Sequence, residues 1–210
     1  LTHIRHSEKV FNMKRLLLIL ILTFSFQSFT KADNIGEFAI EDFLLFESLL
    51  IHFDIKQIET KKKDGFIYPN KDFYSATFRS SKFNNYDKVQ FHLKANDSKY
   101  SIYSISGSSY FKNNINDCYN EMKKISLDIE SLFNKPEVID LGYRKLRSDK
   151  SSKIKTLLID LKNKSYAENA ILIECYDYSI KSEKNGDIDK LLISIDSKEF
   201  RNWINNKAFN

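Results

Sequence analysis

The chain holds 210 residues, with 33 lysines and arginines against 28 aspartates and glutamates, a formal charge of +5. Hydrophobic residues make up 42 % and aromatic residues 14 %, with five glycines and two prolines, which excludes a collagen-like or low-complexity chain and suits a folded domain with a full core. Much of the basic surplus lies in residues 1–32, where Arg5, Lys9, Lys14, Arg15 and Lys31 face Glu8 alone; the 28 basic and 27 acidic residues that remain argue against a nucleic-acid partner.

From Met13 the sequence reads MKRLLLILILTFSFQSFTKADN. Lys14 and Arg15 form a basic region, Leu16 to Phe29 an apolar run, and Thr30-Lys31-Ala32 a small-x-small cleavage site, the pattern of a secretory signal peptide cut after Ala32. The run has 14 residues, short of the roughly 20 a membrane span needs, so no span is expected once the leader is removed. Residues 1–12 read as an over-extended gene start, and residues 33–210 as a single mature domain, periplasmic or secreted. The abundance of Lys, Asn, Ile and Phe suggests an AT-rich bacterial genome.

After the leader, Phe43, Phe46, Leu50 and Phe53 stand at helical spacing, and Asp54 with Gln57 resembles a capping box for a second short helix. The period then changes to two. DFYSATFRS, DKVQFHLK and KYSIYSISGSSYF read as three strands joined by turn-sized separators, with Val89, Phe91 and Leu93 facing inward and Gln90, His92 and Lys94 outward. A helix follows over residues 113–136: Ile115, Cys118, Tyr119, Met122, Ile125, Ile129, Leu132 and Phe133 form its apolar stripe, Asn114 caps it and Pro136 stops it. VIDLGYRKLR is a weak strand candidate; KIKTLLIDLK, NAILIECYDYS and DKLLISID are stronger, and KNKSYAE and IKSEKNGDI read as turns. Ser197 caps a closing helix, KEFRNWINNKAF. The order defines an α+β fold: an antiparallel sheet of about six or seven strands with helices packed on one face, its repetition suggesting two related halves, each a helix followed by strands.

The two cysteines fall on inward positions of different elements, Cys118 on the helical stripe and Cys175 beside Ile171 and Ile173 on a strand. In an exported protein that pairing favours a disulfide between Cys118 and Cys175 over two free buried thiols. A redox pair is disfavoured, because such cysteines sit close in sequence at an exposed helix start.

Catalytic signatures are lacking. Neither His52 nor His92 belongs to an H-x-x-x-H or H-E-x-x-H pattern, no G-x-S-x-G elbow occurs, and Asp160, Glu174 and Asp177 read as carboxylates on the solvent side of strands. No catalytic residue, metal site or cofactor is assigned. Strand alternation instead places Glu174, Tyr176 and Tyr178 opposite Ile171, Ile173 and Cys175, on the side where His92 and Gln90 point. Exposed tyrosines there make His92, Glu174, Tyr176 and Tyr178 a candidate binding surface.

The leader with VQFHLK, NNINDCYNEM, IECYDYS and KEFRNWINNKA resembles small exported proteins of AT-rich marine bacteria, a resemblance that spans nearly the whole chain and implies no activity, cofactor or site. In element order alone the chain is similar to BamE-like outer-membrane assembly lipoproteins and to the β-lactamase inhibitor proteins. The expectation is a non-catalytic exported interaction or accessory module whose partner is an envelope protein. The alternatives are a small-ligand-binding protein with an apolar pocket between helix and sheet, and a hydrolase using His92, Glu174 and Asp177.

Overall fold

The computed structural model describes residues 36, 38–63, 65–79, 83–112, 114–161 and 170–210. All of them fall in one unit, Ala32–Asn210. The segments read as an over-extended start and a leader, and the turn read at 162–168, lie outside the described residues.

Seven strands build one antiparallel sheet: β1 (Phe73–Phe78), β2 (Lys88–Lys94), β3 (Ile102–Tyr110), β4 (Glu137–Lys145), β5 (Lys153–Asp160), β6 (Ala170–Asp177) and β7 (Lys190–Asp196). Their order across the sheet is β1-β2-β3-β7-β6-β5-β4. Among the described residues four α-helices accompany them: α1 (Ile55–Lys63), α2 (Ile115–Leu132), α3 (Ile180–Lys184) and α4 (Lys198–Asn206). The α+β class and the antiparallel sheet are thus as the alternating sequence implies. The segment read as a turn at 180–188 contains α3, started by the Ser179 side chain.

Period-two alternation sets the two faces. Val89, Phe91, Leu93, Ile105, Ile171, Ile173, Cys175, Leu191, Ile193 and Ile195 are all buried on one face, under α1, α2 and the N-terminal segment. Phe43, Phe53, Phe78 and Phe91 interlock there, with ring centroids 4.0 Å apart for Phe53 and Phe78 and 4.7 Å for Phe43 and Phe91. Each such aromatic pair adds roughly 0.5–1.5 kcal/mol beyond its buried area. Tyr86 lays its ring over Gly107 on this face, where a Cβ would stand 2.7 Å from the ring carbons.

Helix α2 carries the chain from β3 in the interior to β4 at the far edge. Cys118, Met122, Ser126 and Ile129 form its buried side. The disulfide joins Cys118 to Cys175 of β6 across a sequence separation of 57, with Cα atoms 6.0 Å apart, and both residues are fully buried. The stripe read from the sequence is right except at Leu132, which is half exposed. Asn114 stands at the cap position without a side-chain cap bond; its Nδ2 donates to Asp117 Oδ2 instead (2.6 Å). The helix ends before Lys135, which takes a positive φ just ahead of Pro136.

Three expectations are corrected. The first concerns residues 43–53, which hold no α-helix but only a 3-10 turn, Leu49–Ile51. Glu41, Asp42 and Phe46 take left-handed φ values of 52°, 67° and 68°, and in place of a continuous helical ladder the backbone bonds to the start of β3: Phe46 N–H to Ile102 O, Ile102 N–H to Glu47 O, and Leu49 N–H to Tyr100 O. Glu41 anchors this segment by accepting from the N–H groups of Asn84, Asn85 and Tyr86. The capping box after it does form, Asp54 Oδ1 accepting from Gln57 N–H (2.8 Å) and Gln57 Oε1 from Asp54 N–H (3.0 Å).

The second is helix placement. α1 and α2 share one face, but α4 packs on the other, where Phe200 and Trp203 close over Phe73 and Tyr68 in a second, smaller core. The third is the relation between the halves. β1-β2-β3 and β4-β5-β6 approach β7 from opposite edges, with β3 and β6 parallel to each other. A rotation superposing them turns the sheet over and would put α1 and α2 on opposite faces; because both lie on one face, the repetition is of element order only.

Candidate functional site

The α4 face of the sheet is polar where the other is apolar, and its register brings the polar groups together. One cross-strand row runs Ser75, His92, Ser104, Asp196; the next Thr77, Gln90, Ser106, Ser194; a third Lys88, Ser108, Leu192, Glu174, Thr156; a fourth Tyr110, Lys190, Tyr176, Ile154, Arg144.

In the first row neighbouring side chains form a buried hydrogen-bonded chain. Ser104 Oγ donates to Asp196 Oδ1 (2.7 Å), so it accepts from His92 Nδ1–H (3.3 Å); His92 Nε2, left without a proton, accepts from the Tyr68 hydroxyl (2.9 Å). Every donation therefore points toward Asp196. The His92 ring lies under Phe200 with centroids 4.4 Å apart, and burial depresses its pKa to about 3, so the imidazole is neutral. Burial raises Tyr68 to about 12 and holds the Asp196 carboxyl above the ordinary aspartate range, the Asp196 charge also adding to the Tyr68 shift. The order differs from a nucleophilic triad. Ser104 sits between histidine and carboxylate, gives its proton to the carboxylate and is buried, so no attacking oxygen is presented.

Glu174 is engaged on both oxygens. Oε1 accepts from Arg144 Nη2 and Thr156 Oγ1, each at 3.0 Å, and Oε2 from the Tyr176 hydroxyl at 3.0 Å. Burial, then the Glu174 carboxylate, raise the Tyr176 pKa. Tyr176 and Tyr178 stack with centroids 6.0 Å apart, and Lys190 Nζ stands 4.5 Å and 5.8 Å from their rings. Burial lowers the Lys190 pKa to about 8. Asp177 pairs with Lys153 at 3.3 Å.

The four sequence-assigned surface residues thus share a face, as alternation requires, but that face is not the open surface expected of them. His92 and Glu174 are buried, at 7 % exposure each, and Tyr176 and Tyr178 are half-buried. The physical reason is twofold: α4 covers His92, and Arg144, Thr156 and Tyr176 close around Glu174.

Between α4 and the uncovered part of the face lies a cleft of about 770 Å³. Gln90, His92 and Tyr176 contribute from the sheet, Arg144 and Arg147 from the end of β4 and the loop after it, and Ile204, Asn205, Lys207 and Phe209 from α4 and the tail. Phe66 and Tyr68 complete it, packed edge to face at 4.7 Å. His92 and Tyr176 are the sequence-assigned residues that reach it; Glu174 acts behind them by holding Arg144. Arg144 and Arg147 were missed because they belong to the weakest strand pattern, and Phe209 because a lone aromatic after a helix carries no signal. A larger cleft, about 920 Å³, flanks α4 on its other side and is lined by both charge signs, Asp72, Asp97 and Glu199 with Lys94 and Lys99, Lys94 being paired to Glu199.

Among the described residues no group of three or more His, Cys, Asp or Glu gathers around a possible metal position, and no helix is long and apolar enough to cross a membrane. No family model, curated protein or solved structure matches the chain.

Proposed function

We propose that the protein is a non-catalytic binding module, exported by its leader to the bacterial periplasm or exterior, whose ligand seat is the cleft between α4 and the polar face of the sheet. The observation that carries this reading is the cleft itself: about 770 Å³ of space beside α4, with aromatic side chains and a few convergent polar groups. Small-molecule sites have this size and mixture. The internal disulfide suits an oxidising compartment. The hydrogen-bond order at Ser104 and the full engagement of Glu174 favour binding over hydrolysis.

The test is a thermal-shift screen of a metabolite library against the protein and against Asn205→Trp, which fills the cleft. Compounds that raise the midpoint of the protein and leave Asn205→Trp unmoved support the seat. Hits that shift both equally, or a library without hits, count against it.

A second reading rests on the N-terminal segment, where Phe46, Leu50, Ile51 and Ile55 are all exposed, Ile51 at 70 %. Such a strip suits an envelope-protein partner. Crosslinking in envelope fractions, lost on Phe46→Ser with Ile51→Ser, tests it.

A further inference from the structure

We infer that the cleft selects an organic anion carrying a flat apolar body; this rests on the reading of the cleft as the ligand seat and adds the class of ligand. The first ground is charge. Among the described residues no aspartate or glutamate side chain lines the cleft, whereas Arg144, Arg147 and Lys207 do. Elsewhere on the sheet three lysines are neutralised by carboxylates, Lys153 by Asp177, Lys155 by Asp140 and Lys94 by Glu199. Arg147 has no carboxylate within ion-pair distance among the described residues, and Arg144, although bonded to Glu174 through one nitrogen, keeps its side chain about half exposed. A planar guanidinium offers a fork of donors matched to a carboxylate, sulfonate or phosphate.

The second ground is the placement of apolar area. Phe66 and Phe209 lie at the mouth with 55 % and 54 % of their surface open, their centroids 6.4 Å apart, and both touch the Tyr68 ring. A planar body seated among these rings gains the area they leave uncovered. The hydroxyl of Tyr68 donates to His92 and that of Tyr176 to Glu174, so both oxygens turn only lone pairs toward the cleft. Anionic oxygens are therefore disfavoured beside the phenols and directed to the arginine side. The larger cleft across α4 lacks this selectivity, because its acids and bases offset one another.

Two dyes of nearly the same shape separate the terms: 8-anilinonaphthalene-1-sulfonate, and its uncharged analogue N-phenyl-1-naphthylamine. The expected result, by fluorescence titration of the full chain, is that the sulfonate binds about tenfold tighter than the uncharged dye. Arg147→Gln with Lys207→Gln weakens the sulfonate by about tenfold and leaves the uncharged dye within about twofold, whereas Arg147→Lys, which keeps the charge and loses the planar fork, gives an intermediate loss of sulfonate affinity. Near-UV circular dichroism checks that the variants are folded. Equal affinity for the two dyes, with both lost in Asn205→Trp, leaves the seat standing and overturns the selection of anions. Retention of both dyes in Asn205→Trp overturns the seat, and with it this inference; no sulfonate binding at all overturns the inference directly.

Discussion

Replacing Cys118 and Cys175 together by alanine removes the disulfide that ties the middle of the sheet to α2. The separation of 57 residues sets the magnitude: closing a loop of that length in the unfolded chain corresponds to about 4 kcal/mol in the chain-entropy model. Against a total stability of order 5–15 kcal/mol that is a large share. For a domain of this size it lowers the thermal midpoint by roughly 8–16 °C. The assay is urea unfolding followed by tyrosine and tryptophan emission, with the alanine pair and the protein side by side. Because the stabilisation acts on the unfolded state, the alanine pair unfolds with a steeper urea dependence, its denatured chain being less compact. Both sulfurs are fully buried, so reductant without urea acts slowly on the folded protein. A loss below about 1 kcal/mol with an unchanged slope would falsify the reasoning, since it would show that the bridge constrains neither state.

His92 makes stability depend on pH. With its folded pKa near 3 and an unfolded value near 6.5, the unfolded chain takes up the proton first, so stability present above pH 6.5 is lost on acidification, about 2 kcal/mol between pH 7 and 5. Asp196, whose carboxyl is held high, contributes the opposite slope, so the measurement is the difference between the protein and His92→Gln; identical pH dependence in both contradicts it. Gly107→Ala places a methyl group against the Tyr86 ring and costs about 1–3 kcal/mol by urea unfolding, a loss that Tyr86→Ala in the same chain should reduce. Tyr176→Phe removes one hydrogen bond to buried Glu174 and costs about 1–3 kcal/mol, while Tyr178→Phe, with no such bond, leaves the midpoint nearly unchanged. Asp149 accepts from the hydroxyls of Ser152, Ser179 and Ser182 and from the Ser151 N–H, which hold its carboxyl far below the usual range; its contribution is present above the ordinary aspartate pKa and lost on stronger acidification. Asp149→Ala therefore lowers the thermal midpoint at neutral pH and flattens the acid limb, read by differential scanning calorimetry at a series of pH values.

What could be read from the sequence is what local alternation determines. β2 shows inward Val89, Phe91 and Leu93 because one of its faces meets the large apolar core, and β6 and β7 behave alike. β4 gave a weak pattern because it is an edge strand, exposed on most of its length and broken by the shifted register at Asp140 and Gly142. The segment at 43–53 was misread because spacings of three and four residues also arise in a chain that folds back by left-handed turns; Phe46 and Leu50, taken for the buried side, are exposed, while Leu45 and Leu49 are buried. For the site, alternation assigned His92, Glu174 and Tyr176 to the correct face. Their burial depended on α4, more than a hundred residues beyond His92, and on Arg144 reaching from another strand, neither of which leaves a local trace.

The strand at the centre of the sheet follows the other six in the chain. β1, β2 and β3 need only hairpin contacts, as do β4, β5 and β6, but the two groups join only when β7 slides between β3 and β6. The bond from Ser104 to Asp196 spans 92 residues and belongs to that final step. Contacts of such separation are slow to form. Until Lys190 to Asp196 arrive, β3 and β6 are both open edges bearing isoleucines, templates for pairing with another copy of the chain. The sheet consequently cannot close until β7 has been synthesised, and on the exported reading this delay keeps the chain threadable through a translocation channel.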